Sequence, residues 1–253
     1  LKSKPTQHSV KELREIGIQP DFLICRSERV IPQDVKAKIG LFCSVRPENV
    51  IGAQDCSTIY EVPLMLHEQE FDDKVVERLG VDSDEAADIG PWRALVKTLK
   101  NPAKVVKIGI VGKYVDLKES YKSLHEAIVH GGIANNTKVD VAWIDSETLT
   151  ESNVAGALAG VDAILVPGGF GERGAEGKMV AIQYARVSQV PFFGICFGMQ
   201  LAAIEFARNV CGIDDATSRE FQPASGGKTK GSRNFVIDIM EEQRTIKDKG
   251  GTM

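Results

Sequence analysis

The second half of the chain is predicted to form an α/β fold with a doubly wound, mostly parallel sheet, and two patterns carry that prediction. Short β-branched apolar runs at 105–111, 139–144, 161–166 and 190–195 alternate with longer helix-like stretches at 120–130, 151–159 and 172–187. Runs that are apolar on both faces suit strands buried in a parallel sheet, and the intervening helices supply the crossovers. The second pattern is a glycine-rich turn after the third run and another after the fourth. Both fall at carboxyl ends of strands, where such sheets gather functional groups.

The first hundred residues are less regular. Residues 9–16 read as a helix that stops at Gly17, with Pro20 beyond it, the usual C-terminal signal. Residues 21–25 read as a strand, and 33–42 and 70–79 as helices. From 80 to 104 the chain is acidic and then proline-punctuated (Gly90-Pro91, Asn101-Pro102), which suggests a domain connection containing a short helix at 92–99. No internal repeat or low-complexity tract is present.

Composition narrows the class. At 253 residues the chain allows one large domain or two modest ones, given a usual domain size of about 150 residues. Apolar residues at 43% and charged residues at 26% are ordinary for a globular protein. A balance of 31 Lys+Arg against 35 Asp+Glu, net -4, argues against general nucleic-acid binding. Five irregularly spaced cysteines fit a reducing compartment better than a disulfide scaffold. Cys25, Cys43 and Cys56 are expected as buried structural thiols, and Cys211 has no evident role. Residues 187–204 are uncharged and long enough for a short membrane span, but Pro191, Gly194 and Gly198 interrupt them. A strand, a turn and a helix explain the stretch better, so a soluble, cytoplasmic protein without a membrane partner is expected. The start at Leu1 and the end at Gly250-Gly-Thr-Met253 read as those of a fragment.

The sharpest local feature is Gly194-Ile-Cys196-Phe-Gly198, a G-x-nucleophile-x-G turn between a predicted strand and a helix. Two glycines permit the sharp turn that exposes a nucleophile in a strained conformation. The positive end of the following helix favours a thiolate at Cys196. Its first N–H groups, beginning with Phe197, are available to an oxyanion. The other loop, Pro167-Gly-Gly-Phe-Gly-Glu-Arg-Gly174, carries four glycines. If the two strands are neighbours, the Gly169 N–H faces that of Phe197 across the sulfur, each donor lowering the barrier by about 3 kcal/mol. An isolated cysteine is more often a small core residue; elbow, helix and glycine loop together favour the nucleophile.

Gly-Ile-Cys-Phe-Gly-Met-Gln with Val-Pro-Gly-Gly-Phe-Gly resembles the triad-type class I glutamine amidotransferases and, more closely, the glutaminase domain of the CTP synthase family. The likeness extends through Gly112-Lys-Tyr114, Ser120-Tyr-Lys-Ser123, His130-Gly-Gly132 and Ser218-Arg-Glu-Phe221. In the front half, Lys2-Ser-Lys-Pro-Thr-Gln-His-Ser-Val10, Gly17-Ile-Gln-Pro-Asp21, Cys25-Arg-Ser27 and Lys36-Ala-Lys-Ile39 resemble the end of that family's P-loop-type α/β synthetase domain. The resemblance implies a synthetase part over 1–80, an interdomain linker over 81–104 and a flavodoxin-like amidotransferase domain over 105–253 that is incomplete at its C-terminus. It implies ATP-dependent amination of UTP to CTP with ammonia from glutamine, a step of pyrimidine nucleotide biosynthesis.

It also implies roles residue by residue. Cys196 would be the nucleophile, with glutamine and its oxyanion held by Gly169, Phe197, Gly198, Met199 and Gln200. Glu220 would bind the substrate α-amino group. Lys2, Ser3, Lys4, Pro5, Thr6, Gln7 and Lys38 would contact UTP or CTP. Implied ligands are glutamine, UTP, ATP with Mg2+, GTP as activator and CTP as feedback inhibitor, in a homotetramer. No metal site is expected in this chain, because the P-loop and magnesium carboxylates would precede Leu1.

Departures from the family pattern matter. The family's His-x-Glu segment, which supplies the base, has no counterpart: His8, His67, His125 and His130 all precede Cys196. The family's arginine near that segment is also missing. His67-Glu68 reads as a surface pair. Gly226-Gly-Lys-Thr229 fails P-loop spacing, and 223–232 reads as a surface loop. Weak or absent glutaminase activity is therefore expected of this exact chain. The alternatives are a catalytically silent nucleotide-binding or assembly module, or a glutaminase serving another synthase.

Overall fold

The computed structural model describes residues 3–81, 86–113, 118–221 and 234–238, and the chain divides into two compact units between Asn101 and Pro102. Lys2, the Gly226–Thr229 imitation of a P-loop and the loop at 223–232 lie outside the described residues.

In the first unit, helix α1 (Lys4–Glu15) begins earlier than its pattern predicts, because Pro5 occupies its first turn, a position where its missing N–H costs nothing. Strand β1 (Leu23–Ser27), helix α2 (Gln33–Cys43) and strand β2 (Val50–Gln54) form a β–α–β unit. The strands pair in parallel from Leu23 opposite Val50 to Ser27 opposite Gln54. Val10, Leu23, Cys25, Ile39, Cys43 and Val50 form the core between them. Helices α3 (Val62–His67), α4 (Phe71–Leu79) and α5 (Gly90–Lys100) follow. The α5 helix is tied to this unit by Trp92, whose indole N–H donates to the Tyr60 carbonyl at 2.7 Å.

Two sequence expectations change here. Cys25 and Cys43 are buried, but Cys56 is exposed: it lies past the end of β2, in the irregular stretch before the bend at Ser57 and Thr58, and does not reach the core. His67 pairs with Asp72, at 2.7 Å from Nδ1 to Oδ2, rather than with Glu68.

In the second unit, β3 (Lys104–Gly112), β4 (Thr137–Asp145), β5 (Ala163–Val166) and β6 (Phe192–Gly194) form a wholly parallel sheet in the order β4-β3-β5-β6. Their connections are α6 (Lys122–Ala134), α7 (Val154–Ala157) and α8 (Ala175–Val187), and α9 (Phe197–Asn209) follows β6. The helix expected at 151–159 shrinks to the single turn α7, with Gly160 in a left-handed conformation at φ +71° just beyond it. Burial of Val111, Ile164, Val166, Ile182, Leu201 and Ile204 builds the core between sheet and helices. A small parallel pair, β7 (Ala216–Ser218) with β8 (Asn234–Ile237), packs on α9. No helix among the described residues is long and apolar enough to cross a membrane; 187–204 divides into the end of α8, β6, a turn and most of α9.

The strand order creates one switch point. From β3 the chain moves to β4 on one side, then crosses to β5 on the other. The carboxyl ends of β3 and β5 therefore flank a crevice, the usual ligand position in such sheets.

Candidate active site

Strands β5 and β6 are direct neighbours, with Val166 opposite Gly194. Just beyond that pair, the Ile195 N–H donates to the Val166 carbonyl at 3.0 Å. The chain then reverses into α9 so tightly that only hydrogen fits at both flanking positions. A methyl group on Gly198 would sit 2.1 Å from the Val166 carbonyl oxygen, and one on Gly194 would sit 2.7 Å from Gly198 C and Met199 N. Close approach is what these two glycines supply.

Between them, Cys196 caps α9 with φ 48° and ψ -104°. This is a sparsely populated conformation for a residue with a Cβ, costing on the order of 1–3 kcal/mol. The surrounding pairing holds it there, and the thiol stands half-buried at the head of the helix. Of the leading amides of α9, Gly198 N–H donates to the Ile195 carbonyl at 2.9 Å and Gln200 N–H to the Cys196 carbonyl at 3.1 Å. The chain itself thus occupies those two donors, which leaves Phe197 and Met199 of this turn, with the loop opposite, as the expected oxyanion contacts.

That loop follows β5. A Cβ built on Gly168 would lie 3.7 Å from the Cys196 Cβ, and one on Gly169 would lie 3.9 Å from Phe197 Cδ1. Loop and elbow therefore lie side by side, separated by no more than the space of one added methyl group. Glu220 accepts the Gly171 N–H at 2.7 Å, and Lys113, just past β3, donates from Nζ to the Phe170 carbonyl at 3.3 Å. The Phe197 ring is buried and meets Phe221 edge-on at 5.9 Å. A pocket of about 270 Å3 opens at the switch point, lined by Lys113, Ser120, Tyr121, Gly168, Gly169 and Lys178, among others.

Lys178 was not visible as a site residue in the sequence. Its side chain is only 2% exposed, and its ammonium lies 5.2 Å from the Phe197 ring centroid. Burial, followed by the charge of Lys113, pushes it down to about 8. The signal for it was a lysine on the face of α8 shared with the buried Ala175, Met179 and Ile182, where a charge breaks an apolar stripe.

The structure brings Cys196, Phe197, Gly198, Met199, Gln200, Gly169 and Glu220 to one end of the second unit's sheet. In the first unit Ser3 precedes α1, and Lys4, Pro5, Thr6 and Gln7 lie in its first turn. Gln7 Nε2 donates to Ser3 Oγ at 3.1 Å. Lys4 and Lys38 are exposed, Lys38 on α2. Among the described residues no histidine is hydrogen-bonded to Cys196, and no cluster of His, Cys, Asp and Glu is placed to hold a metal ion.

Comparison with known proteins follows the two units. Residues 1–81 match the family model described as CTP synthase N-terminus, and residues 116–251 match that of class-I glutamine amidotransferases. Over 253 residues the chain is 66% identical to the CTP synthase of Bdellovibrio bacteriovorus, covering all of this chain and 46% of that protein. It is 58% identical to the CTP synthase of Geobacter metallireducens, again over all of this chain and 46% of that protein. A solved structure of the Trypanosoma brucei CTPS glutaminase domain with bound acivicin is 40% identical, covers 55% of this chain and 52% of that chain, and has a TM-score of 0.49. The chain spans about half the length of the curated relatives it matches.

Proposed function

The chain belongs to the class I glutamine amidotransferase family, and its front segment to that of the CTP synthases; from that premise we propose that it is the central portion of a CTP synthase in which Cys196 hydrolyses glutamine. The observation that carries this reading is the strained cysteine at the head of α9, beside Gly168 of the neighbouring loop.

The chemistry follows from the site. The Cys196 thiolate attacks the side-chain amide carbon of glutamine, forming an S–C bond while the carbonyl π pair moves onto oxygen. That oxyanion sits between the N–H groups of Gly169 and Phe197, in the field of the α9 N-terminus. The proton released on ionisation of the Cys196 thiol returns through water to the amide nitrogen, collapse expels it as ammonia, and the γ-glutamyl thioester left behind is hydrolysed by water to glutamate. Glu220 is held against the glycine loop by Gly171. Its carboxylate would receive the substrate's α-ammonium group, and the side chains of Met199 and Gln200 would line the substrate.

In the first unit, Lys2, Lys4, Gln7 and Lys38 would bind the UTP substrate or the CTP product, the lysines neutralising phosphate charge. ATP would activate UTP for amination by the released ammonia, and GTP would stimulate glutamine hydrolysis, in a homotetrameric cytoplasmic enzyme. The described residues do not fit a magnesium site, so no ATP or metal step is assigned to them.

The test is covalent trapping. A glutamine-like electrophile is expected to leave a covalent adduct on the Cys196 peptide by mass spectrometry, absent in Cys196→Ala, whereas glutamine itself should give its γ-glutamyl adduct only slowly, because the family's base has no counterpart among the four histidines. No adduct with glutamine or with a glutamine-like electrophile would overturn the reading.

A further inference from the structure

We propose that Lys178 is a positioning residue for the glycine loop beside the nucleophile: its buried ammonium, behind Gly169 and against the Phe197 ring, holds Gly168, Gly169 and Phe170 where they receive negative charge on oxygen. The chemical part rests on the glutaminase reading of Cys196, whereas the loop contact stands on geometry alone.

Four observations support it. First, Lys178 is 2% exposed, yet among the described residues no carboxylate lies within ion-pair distance of it; its neighbours are the Phe197 ring and Lys113. A buried ammonium without a counter-charge is costly. Ala175, Met179 and Ile182 fill the same helix face without that cost.

Second, the amine lies 3.5 Å from where a Cβ on Gly169 would sit, next to Gly168, where an added Cβ would meet the Cys196 Cβ at 3.7 Å. Third, the loop is gripped at its neighbouring points, by Lys113 on the Phe170 carbonyl and by Glu220 on the Gly171 N–H. Lys178 supplies the support at Gly169. Fourth, the pocket into which Lys178 faces also collects Lys113 from the end of β3 and Tyr121 from the start of α6. The titratable groups that line this pocket with the ammonium are Lys113 and Tyr121. Lysine burial pushes its pKa to about 8, so the charge is present at neutral pH. A fixed cation beside this loop lowers a barrier if negative charge forms on oxygen there in the transition state.

The experiment compares Lys178→Met, Lys178→Gln and Lys178→Arg in the whole chain, using two readouts. The first is hydrogen exchange of the amides at 168–171. It is expected to accelerate about tenfold in the Met and Gln variants and to be restored by Arg.

The second readout is affinity for glutamate γ-semialdehyde. The Cys196 thiolate, its proton released to solvent, adds to the aldehyde carbon and the carbonyl pair moves to oxygen, giving a hemithioacetal alkoxide with no leaving group. Its affinity is expected to fall on the order of tenfold without the cation, less than the loss of a direct oxyanion donor. Alkylation of Cys196 by iodoacetamide, which forms no oxyanion, should stay within about twofold.

Unchanged exchange and unchanged aldehyde affinity in a folded neutral variant would overturn the proposal, as would an Arg variant as impaired as Met. If the unaltered chain forms no hemithioacetal, the glutaminase reading falls, and exchange at 168–171 alone decides the role of Lys178.

Discussion

Arg186 of α8 and Glu205 of α9 form a two-pronged ion pair, with Nη2 2.7 Å from Oε1 and Nε 3.1 Å from Oε2. Glu205 is 2% exposed and also accepts from Asn209 Nδ2 at 3.1 Å. The pair fixes the helix that carries Lys178 to the helix that begins at Cys196.

Removing the arginine is therefore expected to do more harm than removing both partners. Arg186→Met strands a buried carboxylate and should cost about 2–4 kcal/mol, discounted because part of the arginine side chain reaches water. Arg186→Met combined with Glu205→Leu should recover most of that loss. Urea unfolding of both variants measures the difference, and equal losses would count against the account.

At the elbow, Gly198→Ala should be far more damaging than an alanine at an open helix position. The added methyl would meet the Val166 carbonyl at 2.1 Å, and overpacking of this kind costs about 1–3 kcal/mol or more. The expected outcome is a lower melting temperature together with loss of the covalent adduct on Cys196. Gly131→Ala, where nothing lies within 4 Å of the new methyl, should retain both properties.

Stability should depend on pH through Lys178. Its folded-state pKa of about 8 lies below its ordinary value of 10.5. Below about pH 8 the ammonium is charged in both states and the full burial cost is present. Between these values the unfolded chain binds more protons, so this contribution to stability rises with pH. Lys178→Met should accordingly stabilise the fold at pH 7 by on the order of 1–3 kcal/mol, with the gain shrinking above pH 8. Denaturation midpoints at pH 7 and in the alkaline range test both the sign and the window.

In the first unit, Gln69 is bonded to Gly52 of β2 in both directions, accepting its N–H at 2.9 Å and donating to its carbonyl at 2.7 Å. The side-chain amide thus acts as a strand partner, and Lys36 Nζ donates to the same oxygen at 3.1 Å. Gln69→Leu leaves those backbone groups unmatched and is expected to cost about 2–4 kcal/mol. Faster hydrogen exchange of the Gly52 amide would accompany it.

Strong periodicity made the second unit legible. The run at 105–111 lies within β3 and the run at 139–144 within β4, since both are long, β-branched and covered on both faces. The elbow was legible because Gly194, Cys196 and Gly198 leave little conformational choice. Strand β2 went unread because its five residues contain Gly52 and are stabilised by Gln69 from a distant turn, which no local pattern encodes. Strands β7 and β8 are short and gain order from pairing with each other and packing on α9. Lys178 escaped notice because a lysine is ordinarily a surface residue, and only the three-dimensional position of Gly169 and Phe197 gives its burial a meaning. Cys56 failed for the opposite reason: residue type suggested the interior, but the irregular stretch past β2 that holds it faces water.

The sheet also has an order of construction. Its first strand in sequence, β3, is central, and β4, β5 and β6 add outward as the chain lengthens. Each later strand thus has a neighbour earlier in the chain to pair with, and the bond from the Ile195 amide to the Val166 carbonyl helps hold Cys196 in its unfavourable backbone angles. A ribosome-bound chain that has not yet made this last contact would carry a relaxed cysteine, an ordinary thiol. The backbone angles of Cys196 therefore depend on β6 pairing with β5, so under the proposed function its reactivity would appear only once that pairing has formed.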